Sequence, residues 1–171
     1  MQDSNMKKSA IVLLIGLMAV LMVGCGRYRS QASYEMPSQV LSANYDGSYV
    51  IRVRVRARNG AIAFTDGQRK AVKEVLFDGV AAGSNGIEAL KPICFDKNIQ
   101  AKHEDYFNAF FADGGDWTKY ASLKDKRTGT TKYERDGKQM VETVVVTVNR
   151  SELKKRMQDD GIIPAQNMYE L

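Results

Sequence analysis

Apolar and polar residues follow three rhythms along this chain, and each predicts a different kind of element. The first has no alternation: Ala10 to Val23 is an unbroken apolar run behind Lys7 and Lys8. At 14 residues it falls short of the roughly 20 that a membrane-spanning helix needs. The second rhythm has a period of two. From Tyr49 to Arg58, residues Tyr49, Ile51, Val53, Val55 and Ala57 fall on one side and Arg52, Arg54, Arg56 and Arg58 on the other, which predicts a strand with one buried face. The third recurs every three or four residues. Ala63, Phe64, Gly67, Ala71, Val72, Val75, Leu76, Gly79 and Val80 form one stripe, predicting a helix from about Ala61 to Ala82 that Asn59 can cap. Gly67 is its expected weak point, at about 1 kcal/mol relative to alanine.

Gly83-Ser84-Asn85-Gly86 breaks the pattern, and Ile87 to Phe95, interrupted by Pro92, reads as an edge strand or extended connection. The helical period returns after Asn98 with Ile99, His103, Tyr106, Phe107, Phe110 and Phe111 on one face, and stops at Asp113-Gly114-Gly115. Lys126–Arg135 and Lys138–Asn149 read as a hairpin around Asp136-Gly137, a pair suited to a type I′ turn. That register pairs Arg135 with Lys138 and Tyr133 with Met140. It sets Thr131 opposite Glu142 and Gly129 opposite Val144 on the inner face, with Lys132 on the polar face that would extend the arginine row. Asn149 and Glu152 form a capping box for a last helix, Arg150 to about Asp160, burying Leu153 and Met157 and ending at Gly161. The expected fold is α+β, a mostly antiparallel sheet with helices packed on one face.

The apolar run ends at Gly24-Cys25, and this changes the picture from a soluble domain to an exported one. Two lysines, an apolar stretch and a small residue before a cysteine make a lipoprotein signal peptide, cut after Gly24, with Cys25 as the lipidated residue. Met6 heads it more naturally than Met1. Several acyl chains, each adding about 0.8 kcal/mol per buried CH₂, would hold the mature chain on a membrane that it does not span. The expected organisation is residues 1–24 signal peptide, 25–47 lipidated cysteine and flexible tether, and 48–171 a single domain. In the alternative, part of Val40 to Tyr45 packs on that domain. Gly26 after the cysteine, where aspartate would favour inner-membrane retention, points to the outer membrane.

The cut removes Lys7, Lys8 and Asp3, which lowers the net charge from +5 to +4. An exported chain so mildly basic is not expected to bind nucleic acid; envelope proteins, anionic glycans and lipid headgroups remain as partners. With Cys25 lipidated, Cys94 has no disulfide partner, and its setting in Pro92-Ile93-Cys94-Phe95 is that of a small hydrophobe. A single histidine and one remaining cysteine exclude the usual zinc ligand sets, so no metal or other cofactor is expected. Asp113 and Asp116 could face calcium, but no further oxygen ligands follow at regular spacing. No Gly-x-Ser-x-Gly or phosphate-binding glycine pattern is present. Two surface features are left. Arg52, Arg54, Arg56, Arg58 and Lys132 are an anion or partner site, or else a solvated face with acidic cross-strand neighbours. The segment 104–120, with Glu104, Asp105, Asp113, Asp116, Trp117 and Tyr120, is a glycan-contacting or hydrolytic site, or else core, with Trp117 the residue most open to a sugar because it lies beyond the helix end.

The lipobox, Asp46-Gly47-Ser48-Tyr49, Arg58-Asn59, Ala71-Val72-Lys73-Glu74-Val75-Leu76-Phe77 and the stretch Glu104 to Gly115 resemble a group of uncharacterised lipoproteins of anaerobic Gram-negative bacteria. More remotely, the order of a strand, an alanine-bearing helix, later strands and another helix is similar to the N-terminal domain of the flagellar assembly protein T and its lipoprotein relatives. The resemblance implies a non-enzymatic assembly or scaffold module of the envelope. The alternative is a small envelope hydrolase or glycan-binding protein using segment 104–120.

Overall fold

The computed structural model describes residues 37–57, 60–84, 86–123, 134–136 and 139–165, with side chains described except at 134–136, 139 and 140. The signal peptide, Gly24, Cys25, Arg58, Asn59, Lys132 and most of the first hairpin strand lie outside these residues.

The alternating stretch forms β2 (Ser48–Ala57), preceded by β1 (Gln39–Ala43). Three further strands follow, β3 (Ala121–Leu123), β4 (Glu134–Asp136) and β5 (Gln139–Asn149). The sheet is antiparallel with order β1-β2-β5-β3, and β4 also pairs with β5. β2 and β5 run side by side from Ser48↔Asn149 to Ala57↔Met140. Ile51 and Val53 are fully buried, as are Val146 and Val148, because the alternation of both strands puts their branched side chains on one face. The fold is α+β, with the helices on that face.

The expected tether does not extend to residue 47. Gln39–Ala43 is a strand, and Val40, opposite Ile51, is 0% exposed. Its outer edge is covered in turn: Val40 N–H donates to Ala81 O at 3.0 Å and Ala81 N–H to Ser38 O at 3.2 Å.

Helix α1 (Gly60–Lys73) crosses the inner face and continues as a π-helical turn, Glu74–Asp78. It stops short of Ala82 because Gly79 adopts φ +78, where a Cβ would meet Leu90 O at 2.6 Å. Gly79 N–H reaches back to Glu74 O (2.7 Å), which leaves the carbonyls of Val75 and Leu76 without their usual helical donors. Ile93 N–H (3.0 Å) and Cys94 N–H (2.8 Å) take those carbonyls, so the 87–95 segment is an extended connection fastened along the helix end. Gly67 is also more than a weak point. An added Cβ would lie 2.9 Å from Val144 Cβ, so glycine here lets the helix approach the sheet. Glu142, buried on the inner face, brings its carboxylate near Gly60, where the N-terminus of α1 presents the positive end of the helix dipole.

The expected aromatic helix is two pieces, α2 (Ile99–Lys102) and α3 (Glu104–Phe110), broken at His103 by φ −126 and ψ 43. The hairpin register is shifted by two residues: Arg135 pairs with Met140 and Asp136 with Gln139, in place of Arg135 with Lys138. A shift of two keeps side chains on their faces, and Val144 stays inside. Helix α4 (Arg150–Asp159) begins where expected. Asn149 Oδ1 accepts from Glu152 N–H at 3.3 Å, Leu153 and Met157 are fully buried, and Gly161 has φ +71.

Candidate functional site

The face of the sheet opposite α1 carries Arg52, Arg54 and Arg56 from alternate positions of β2. Arg52 and Arg56 are exposed and Arg54 is half-buried. Toward the start of β2 this face closes, since Ser48 and Val50 are buried. The cross-strand neighbours on β5 are Val145 for Arg52, Thr143 for Arg54 and Val141 for Arg56. None is acidic. On β1, Gln39 stands opposite Arg52. Pro37, Gln39, Arg52 and Arg54 enclose a recess of about 240 Å³. Neither the Arg52 nor the Arg54 guanidinium has a hydrogen-bond or ion-pair partner among the described residues, whereas Arg56 has an interaction of its own. β1 stops opposite Arg52, and just beyond it Lys70 Nζ donates to Arg54 O at 3.1 Å, protecting the exposed strand edge with a charge.

Segment 104–120 is organised as core. Trp117 is 2% exposed; its Nε1–H donates to Ala112 O at 2.9 Å, and the Arg69 guanidinium lies 5.2 Å from the ring centre. The expectation that Trp117 offers a sugar-stacking face is therefore corrected: it is buried within the short 3₁₀ turn Asp116–Tyr120. Tyr120 stacks on Phe110 with centroids 6.1 Å apart, and Phe77 meets Phe107 edge-on at 5.0 Å. Asp113 and Asp116 are tied into ion pairs. Asp113 pairs with Arg69 (2.5 Å), while Asp116 pairs with Lys119 (2.7 Å) and with Arg156 (3.1 Å). Glu104 and Asp105 are exposed on the first turn of α3. No group of three or more His, Cys, Asp or Glu that could hold a metal ion occurs among the described residues.

Tyr106 extends this network. Its hydroxyl donates to Asp160 Oδ2 at 2.6 Å, an oxygen that also accepts from Arg156 Nε at 2.5 Å. Burial, then the bond to Asp160, push the Tyr106 phenol up, so it is held protonated as a donor. Burial pushes the Asp160 carboxyl up, but the hydrogen bonds from Arg156 and Tyr106 together bring it below its ordinary value. The arrangement fastens α4 to α3 and to the Asp116 turn. It was not legible beforehand because its members are 54 residues apart in the chain.

A second opening, about 700 Å³, lies between the 93–99 segment and the end of α4. Ile93, Cys94, Ile99 and Ile162 form its buried floor, with Asp96, Lys102, His103 and Lys154 among the more exposed lining residues. Its chemistry is muted. Burial pushes the Cys94 thiol up to about 11, which disfavours the nucleophilic thiolate. Asp96 is held by Lys102 at 2.6 Å. No described helix is long and apolar enough to cross a membrane. No family model, curated protein or solved structure matches the chain.

Proposed function

We propose that this chain is an exported lipoprotein, anchored to the outer membrane through Cys25, that serves as a non-enzymatic binding or assembly module of the cell envelope. The arginine face of the sheet meets an anionic partner, either an envelope protein or a glycan. One observation carries the reading: the helices use one face of the sheet, and the other presents Arg52 and Arg54 beside neutral neighbours and without partners among the described residues. Two such cations are a poor means of stabilising a fold, since exposed charges contribute about 0–1 kcal/mol, but a good means of meeting an anion. The sequence resemblance to envelope lipoproteins and to the flagellar assembly domain agrees with this class. The hydrolase or glycan reading loses its principal residue, because Trp117 is buried.

Two measurements test the proposal. Capture of partners from solubilised envelopes at two salt concentrations should weaken in Arg52→Gln/Arg54→Gln and become less salt-sensitive, with the melting temperature unchanged. Unchanged capture beside a lowered melting temperature would assign the arginines to the fold. Clickable fatty-acid labelling should mark the wild-type chain and not Cys25→Ser; equal labelling of both would refute the anchor.

A further inference from the structure

We infer that Arg52, Arg54 and Gln39 form a pocket for a single phosphoryl group, and that Arg56 is not part of it. The inference rests on the reading of this face as the partner surface and names the chemical group it takes.

The arginine row is not uniform. At its far end, register sets Arg56 in line with Val141 and Glu134, and Asp136 pairs with Gln139 one step further on, so β4 brings two acids to that end of the sheet. Arg56 already has an interaction of its own. At the near end the neighbours are Val145, Thr143 and Gln39, all neutral, and Arg52 and Arg54 line a recess with Pro37. Its volume of about 240 Å³ is enough for a compact oxyanion.

Spacing and valence favour phosphoryl over carboxylate. Side chains two apart on a strand leave the backbone about 6.7 Å apart. Two arginines at that distance converge on one tetrahedral anion, each donating charge-assisted hydrogen bonds of about 2.8 Å from its own side. A carboxylate has two oxygens, which one guanidinium fork satisfies. A phosphate monoester has three terminal oxygens, enough for two forks with the Gln39 amide as a further donor.

The test uses the full chain in detergent, titrated with inorganic phosphate at constant ionic strength and followed by calorimetry. Acetate serves as the carboxylate control. Saturable phosphate binding is expected, at least tenfold weaker in Arg52→Gln and in Arg54→Gln, within twofold of wild type in Arg56→Gln, and tighter than acetate. Equal loss in Arg56→Gln, acetate binding as tight as phosphate, or no saturation would overturn the pocket. Phosphatidylcholine vesicles with and without phosphatidic acid distinguish the source: recruitment by phosphatidic acid through Arg52 and Arg54 assigns a lipid headgroup, and phosphate binding without recruitment assigns a glycan or soluble phosphate ester. If phosphate binds as expected while envelope capture ignores Arg52 and Arg54, the pocket stands and the partner reading fails. If capture needs both arginines and phosphate does not bind, the partner reading stands and the pocket fails.

Discussion

Replacing Gly67 by alanine sets two magnitudes against each other. In a helix interior, alanine is favoured over glycine by about 1 kcal/mol, so propensity alone predicts a more stable protein. The packing predicts the reverse. The new Cβ would sit 2.9 Å from Val144 Cβ, 3.0 Å from its Cγ2 and 3.1 Å from its Cγ1. Carbon atoms prefer about 3.5–4.0 Å. Val144 is 1% exposed on the central strand β5, and its Cβ cannot swing away as the tip of a long side chain would. Either α1 lifts from the sheet or β5 bends, and inserting a methyl into such a core typically costs about 1–3 kcal/mol. Crowding by three atoms at once puts the cost in the upper part of that range, so after the propensity gain a net loss of about 1–2 kcal/mol is expected. Urea unfolding should show it as a lower midpoint at unchanged slope. In a Val144→Ala background the same change should be milder, because the two methyls at 3.0 and 3.1 Å are gone. Stabilisation by Gly67→Ala near 1 kcal/mol would refute the close-approach argument.

Trp117→Ala should destabilise by about 3–5 kcal/mol in denaturant unfolding, as for other buried aromatics; quenching of Trp117 fluorescence by envelope oligosaccharides would contradict its assignment to the core. Cys94, 3% exposed and with its thiol near 11, should be roughly one part in a thousand thiolate at pH 8. Alkylation of the Cys94 peptide, read by mass spectrometry, should be slow in the native protein and complete in denaturant, and rapid native labelling would show the site to be open. Asp116 is held below its ordinary 3.8 chiefly by the hydrogen bond from Lys119, and Asp96 likewise by Lys102. Carboxyls depressed in the folded state add stability that is fully present above their unfolded value and lost as pH falls through the folded one. Melting temperature should therefore hold from pH 7 to 5 and drop below about pH 4, less steeply in Asp116→Asn; a rise on acidification would contradict the sign.

Along the chain itself, the alternation of β2 and the caps of α4 were decisive. Backbone period and local hydrogen bonds between neighbours in sequence set both, so the arginine face and the Asn149 cap were legible before any tertiary contact was known. The proposed signal peptide and Cys25 anchor also rest on the sequence alone, since a short apolar run and a small residue before cysteine are read without a fold. Tertiary structure decided the rest. Gln39–Ala43 is too short to declare itself, and becomes a strand because Val40 finds Ile51 and the Ala81 segment covers its outer edge. Gly67 reads as a local defect until β5 lies against it. Trp117 lies beyond a helix end and looks available for a ligand, yet Arg69 and the Ala112 carbonyl, distant or unremarkable in sequence, cover it. The four-residue arginine pattern is equally spaced as a string of letters. What separates Arg52 and Arg54 from Arg56 is the strand register, which sets neutral residues and a recess at one end and the acids of β4 at the other. Such distinctions depend on which chain segments become neighbours, and pairing across the sheet is settled by the burial of the whole inner face rather than by any one stretch of sequence.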